Sequence, residues 1–234
     1  MDGERDFTAR ELAGLLEWWV EAGVDVAVQE EARSWLKAAE TPTAAPAPTT
    51  NVAEPSHETL GDLRNWLSSS LQAPLAAASA NRILPHGPEN ATVMLLSDAP
   101  ALEDLASSQP IGGEAWTLTI KMLKAIGIEP DDAYSASLSC FASATGRVRE
   151  TDLAACGELA RKHIALARPK RLLLFGDGPC RALLGEKMVS ARGRAHKVEG
   201  VRTVATFHPR MLLQQPNHKS KAWADLLLLM EDDV

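Results

Sequence analysis

Thr92–Asp104, TVMLLSDAPALED, is the stretch that decides the fold. Its first five residues, Thr92 to Leu96, form a short apolar run that suits a strand buried on both faces. Ser97-Asp98-Ala99-Pro100 then stops the run with a carboxylate and a proline. In open α/β sheets ligands sit beyond the carboxyl ends of strands, so Asp98 marks a candidate site. A solvated Asp before a turn-forming Pro would leave the same trace, so Asp98 has to be weighed with the rest of the chain.

From Asn81 onward the chain alternates between strand and helix patterns. Strand candidates are Thr92–Leu96, Lys170–Phe175 and Arg202–Phe207, with the weaker Ala133–Ser139 as a fourth. Helical patterns cover Glu114–Ile126, Thr151–Ala167, Pro179–Leu184 and Lys219–Met230. Such alternation predicts an α/β fold, a three-layer α/β/α sandwich around a central parallel sheet. Ahead of it, Phe7–Leu36 reads as two amphipathic helices, the first opened by Thr8 and Glu11 at capping-box spacing. Ala38–Pro55, rich in Ala, Thr and Pro, reads as a linker. After it, Ser56 precedes a helix with Leu60, Leu63, Trp66 and Leu67 on one face. The expected organisation is a helical segment at 1–37, a linker at 38–57 and one α/β domain at 58–234.

The 234 residues, 45% of them hydrophobic, suffice for one sizeable core. No apolar run approaches the ~20 residues of a membrane span. The charged start MDGERDFTARE lacks the apolar centre of a secretory signal. Three cysteines, Cys140, Cys156 and Cys180, do not make a disulfide framework, so a reduced, cytoplasmic setting is expected. The net charge of −7 hides an asymmetry. Residues 142–222 hold 16 Lys and Arg against 6 Asp and Glu, a balance of +10, leaving −17 for the remainder. A basic half of this kind permits contact with a polyanion.

Several familiar sites are excluded. Gly176-Asp177-Gly178 follows a good strand, but Pro179 intervenes and the third glycine of a dinucleotide loop is missing; a tight strand-to-helix turn explains these residues. No Walker lysine motif is present, and the histidines lack metal-ligand spacing. Three stretches each follow a predicted strand and so converge on one sheet edge. They are Ser97–Asp104 with Pro110-Ile111-Gly112-Gly113, the loop Cys140–Arg147, and Thr206–Leu213. His208, held by Pro209 at a strand end, together with Asp98 makes a plausible acid/base or electrostatic pair.

The order and spacing of these motifs resemble the uracil-DNA glycosylase superfamily, in particular its iron–sulfur-containing family 4 branch. That branch reads G-E-A-P-G, then P-F-V-G-x-A-G, N-x-x-K-C and H-P-S-x-L-L. The counterparts are Ser97-Asp98-Ala99-Pro100-Ala101, Pro110 to Trp116, Ala136-Ser137-Leu138-Ser139-Cys140, and His208-Pro209-Arg210-Met211-Leu212-Leu213. Gln215-Pro216-Asn217-His218-Lys219 with Trp223 and Asp225, Pro169-Lys170 and Arg192-Gly193 extend the likeness from about Leu60 to the C-terminus.

The resemblance implies a DNA glycosylase of base excision repair, a hydrolase acting on uracil or another damaged base flipped out of DNA. Asp98 and His208 would be catalytic, with Ala99, Pro100, Ile111 and Ala136 or Ser137 around the base. Arg210, Lys219 and Arg192 would meet DNA phosphates. Departures fall on the same places: Ile111 replaces the stacking Phe, and Ala136 or Ser137 the base-reading Asn. Asp98 replaces Glu, and the family's C-x-x-C-P-L run becomes Ser70-Leu71-Gln72-Ala73-Pro74-Leu75. Only Cys140 and Cys156 match the four cluster thiolates, so no iron–sulfur cluster, no other cofactor and no metal is expected. Two functions remain open: a divergent glycosylase, or a glycosylase-fold protein without catalysis that binds DNA or a protein. In either case the expectation is a monomer off the membrane, with residues 7–36 free for a protein partner.

Overall fold

The computed structural model describes residues 58–76 and 81–231, so the expected N-terminal helices, the linker and the partner-binding role of residues 7–36 lie outside the described residues. The first described helix, α1, is Leu60–Ser69. It starts at Thr59 rather than after Ser56, because Thr59 and Asp62 close a reciprocal capping box: the Asp62 amide donates to Thr59 Oγ1 at 3.1 Å and the Thr59 amide to Asp62 Oδ2 at 3.2 Å.

Five strands follow: β1 Val93–Ser97, β2 Ala133–Ser137, β3 Arg171–Phe175, β4 His196–Val198 and β5 Val201–Thr206. They form one sheet in the order β2-β1-β3-β5-β4. β2, β1, β3 and β5 are parallel, with Leu95 opposite Ser135 and Leu173, and Leu173 opposite Val204. β4 adds an antiparallel edge to the expected central parallel sheet, since it pairs antiparallel with β5. Glu199 and Gly200 join the two at φ of 49° and 77°, the left-handed pair of a two-residue hairpin turn. Three residues of strand and a Glu in the turn give little sequence signal.

The helices around the sheet are α2 Gly113–Ala125, α3 Leu153–Ala167, α4 Asp177–Leu184, α5 Met188–Ala191, α6 Pro209–Gln214 and α7 Lys219–Met230. Side chains alternate across each strand, so the sheet has two cores. Met94, Leu96, Leu172 and Leu174 pack with Leu63 of α1, Ile164 of α3 and Leu183 of α4. Val93, Leu95, Leu173 and Phe175 pack with Leu123 of α2 and Leu229 of α7. This is the expected three-layer sandwich. Among the described residues no helix is long and apolar enough to cross a membrane.

A parallel arrangement brings the carboxyl ends of β1, β2, β3 and β5 to one edge. The three stretches singled out in the sequence meet there. Ala99 N donates to Gly146 O at 3.3 Å and Ser143 N to Pro100 O at 2.9 Å, which joins the first stretch to the second. Arg210 reaches Asp104, which joins the first to the third.

Candidate active site

Asp98 leaves the end of β1 and turns toward the start of α4. An added Cβ on Gly178 would lie 2.3 Å from the Asp98 carboxyl carbon, so only glycine permits this approach. Gly176 contributes the other half of the turn with φ of +86°. Gly178 therefore makes room for the Asp98 carboxyl, and Gly176 for the turn itself. Asp98 Oδ1 accepts the Val148 amide at 2.8 Å, and that bond pins the loop after β2. Burial pushes the Asp98 carboxyl up to about 6, while the Val148 amide and the Arg147 charge pull the other way and Asp177 adds to the rise. At pH 7 Asp98 is mostly ionised yet poorly solvated, the state of a usable base.

His208 follows β5 and caps α6. Its Nδ1 accepts the Arg210 amide at 3.1 Å. Burial and the Arg210 charge push the imidazole down to about 4, with Asp104 opposing. His208 is therefore neutral at pH 7, and a neutral ring whose Nδ1 is an acceptor carries its proton on Nε2. The ring stands edge-on to Phe175, the last residue of β3, at 5.9 Å between centroids. His208 and Asp98 thus flank the same strand end, one against Phe175 and the other against Gly178.

Asp104 has no role in the sequence reading, yet it is a heavily bonded acid at this edge. It is 1% exposed, in a 3₁₀ turn at Leu102–Ala106. Oδ2 accepts Ala101 N at 2.7 Å and Oδ1 accepts Gly112 N at 2.7 Å. Arg210 Nη2 lies 3.0 and 2.9 Å from the two oxygens, and Arg210 Nε pairs with Glu103. An added Cβ on Gly112 would sit 2.4 Å from Ser107 Oγ and 2.9 Å from Asp104 Oδ1, so this glycine is also required.

The other expected contacts are distributed unevenly. Ala99, Pro100, Ile111 and Ala136 are all buried, with Ile111 and Ala136 wholly inside the two cores. Next to Ala136, Ser137 has a buried hydroxyl without a partner among the described residues. Arg210 and Arg192 both spend their guanidinium groups internally. Arg192 donates to both oxygens of buried Asp225, at 2.9 and 3.0 Å, and lies over the Phe207 ring at 4.5 Å. Lys219 is exposed at the start of α7. Arg147 is the cation that sequence reasoning passed over. It is exposed, has no side-chain hydrogen bond or ion pair among the described residues, and its field reaches Asp98. Its signal was its place in the Cys140–Arg147 loop.

Around the retained cysteines the residues do not suit a four-thiolate cluster. Ala73 is 4% exposed within the core. Arg82 donates to the carbonyls of Leu67 and Ser70 at 2.6 and 2.8 Å and lies 4.8 Å over the Phe141 ring, which ties down the segment where two ligands would be needed. Burial pushes Cys140 and Cys156 up to about 11 and about 12, the behaviour of core thiols. Among the described residues no three His, Cys, Asp or Glu side chains form a group able to hold a metal ion.

With this fold and edge in place, the chain belongs to the uracil DNA glycosylase superfamily, which it matches over residues 84–227. It is also similar to the Type-4 uracil-DNA glycosylase of Archaeoglobus fulgidus, at 21% identity over 179 residues, covering 72% of this chain and 90% of that protein.

Proposed function

We propose that this chain is a divergent DNA glycosylase that hydrolyses the N-glycosidic bond of uracil or another damaged base in DNA. The observation that carries this function is the placing of His208, whose Nδ1 accepts the Arg210 amide, at the strand end that Asp98 also flanks. Support also comes from the superfamily match and from the named relative, which is a uracil-DNA glycosylase.

In the proposed reaction the bond between the sugar C1′ and the base nitrogen breaks, and its electron pair leaves with the base. His208 Nε2–H donates to the oxygen on which that negative charge accumulates, a preorganised electrostatic effect. Asp98 accepts a proton from water as the water oxygen bonds to C1′; the base leaves as its anion and takes a proton from solvent, to which Asp98 returns the one it accepted. The Ser137 hydroxyl is the polar group available to the base edge, where the family pattern has Asn. Arg147 and Lys219, both exposed, are assigned to phosphates, whereas Arg192 and Arg210 are occupied by carboxylates. The loop cations would hold the backbone while the base is turned out of the stack.

The test is incubation of the full chain with oligonucleotides carrying uracil, hypoxanthine or xanthine, followed by cleavage of abasic sites. Wild type is expected to release one of these bases, and His208→Ala to lose ~100-fold or more in rate, the scale of one lost donor to a developing anion. Failure to release any of the three at stoichiometric protein defeats this function. The burial of Ile111 and Ala136 supports a second function, a glycosylase-fold DNA-binding module without catalysis. Salt-sensitive DNA binding without base release would establish it instead.

A further inference from the structure

Taking base excision as the function, we infer that Asp104 and Arg210 are positioning residues that hold His208 in its Nε2–H form and aim it at the substrate. Arg210 acts at both ends. Its backbone amide is the donor to His208 Nδ1, at 3.1 Å, and its guanidinium Nη2 lies between the two oxygens of Asp104. Asp104 in turn holds the Ala101 and Gly112 amides at 2.7 Å each. One buried carboxylate therefore joins the segment after Asp98, the turn before α2 and the first turn of α6.

The chemistry explains why such a pair would be kept at a site. A carboxylate offers about four lone-pair positions, and two amides with a bridging guanidinium nitrogen fill them. Burying two opposite charges stabilises a fold little compared with apolar packing, so their return is geometric. Here the geometry concerns a residue two positions from the histidine. α6 is only Pro209–Gln214, too short to hold its own first turn, and Pro209 provides no amide. The Arg210 amide is thus the donor that tells the ring which nitrogen keeps the proton. If the first turn shifted, Nδ1 would lose that donor and the Nδ1–H tautomer would gain population. That fraction of the molecules would present a bare acceptor to a developing anion.

The experiment reads the ring itself, by long-range ¹H–¹⁵N correlation of histidine-labelled full-length protein at pH 7.5, where the ring is neutral. Wild type is expected to show one tautomer, protonated at Nε2. Asp104→Asn and Arg210→Met are expected to show averaged tautomers, and Arg210→Lys, which keeps a cation for Asp104, to restore the wild-type spectrum. The Asp104→Asn/Arg210→Met double variant removes both charges of the pair and is expected to stay folded even where one single variant fails to fold. It is expected to be as averaged as either single. A folded double variant with the wild-type tautomer overturns the inference. In the uracil assay, kcat is expected to fall on the order of 100-fold with KM unchanged, as for a misplacement of ~1 Å, and to recover in Arg210→Lys. A single tautomer in wild type that becomes averaged in the variants, with no base released by wild type, would defeat base excision while leaving the brace established.

Discussion

The loop after β1 carries two aspartates in opposite circumstances. In its first half, Asp98 has one amide on one oxygen, borders the exposed Arg147, and is pushed up to about 6 by burial. In its second half, Asp104 is 1% exposed and receives two amides and a guanidinium. The protein gives more partners to the acid that holds its loops than to the acid to which we assign the role of base. Incomplete satisfaction of a buried carboxylate raises its basicity and lowers stability together, which marks a site that works rather than one that only packs.

The contrast breaks most visibly if Asp104 is neutralised. Asp104→Asn takes the buried carboxylate from Arg210, which keeps Glu103, and from the Ala101 and Gly112 amides, and a loss of ~1.5–3 kcal/mol in urea unfolding is expected. Most of that loss should be recovered in the Asp104→Asn/Arg210→Met double variant. A loss no greater than that of an exposed ion pair would mean that Asp104 is not the hub its bonds describe.

Asp98 should respond in the opposite direction. Its folded value of about 6 lies above the ordinary 3.8, so the folded chain binds this proton more tightly than the unfolded chain. Stability is therefore lost as pH rises from about 4 to about 6, and that cost persists above pH 6. Asp98→Asn keeps an oxygen for the Val148 amide and removes the cost, so the variant should be ~1–2 kcal/mol more stable at pH 7. It should also lose base release. A variant that is less stable than wild type would reverse the assignment of the two acids. In wild type, base release should climb with pH through about 6 as Asp98 ionises, with His208 already neutral from above about 4. A rate that is flat from pH 5 to pH 8 would remove Asp98 as the base.

The smallest effect is expected at Arg147. Its exposed side chain holds nothing together within the described chain, so Arg147→Ala should leave unfolding unchanged. For a labelled oligonucleotide, the slope of log affinity against log salt should drop by about 1, the loss of one phosphate contact. Arg192→Ala should do the reverse, lowering stability through Asp225 with little change in slope. An unchanged slope in Arg147→Ala returns the phosphate contacts to the other cations.

Much of the molecule is determined by local sequence. The apolar runs at Val93–Ser97, Arg171–Phe175 and Val201–Thr206 and the amphipathic helices between them carry their own periodicity, so the layered sheet could be read directly. His208 and Asp98 could be read as well, because each ends such a run. The antiparallel β4, three residues long, has too short a period to register. The partners of the charged groups were beyond reach for a different reason. Arg210 and Asp104 are 106 positions apart, and Arg192 and Asp225 are 33 apart, so no local pattern pairs them. A cation in a basic segment looks available to a phosphate until the fold brings a buried carboxylate to it. Sequence alone thus determined which residues stand at the carboxyl edge of the sheet. Tertiary structure decided which of those charges are already spent, which is why Arg147 is open to a ligand and Arg210 is not.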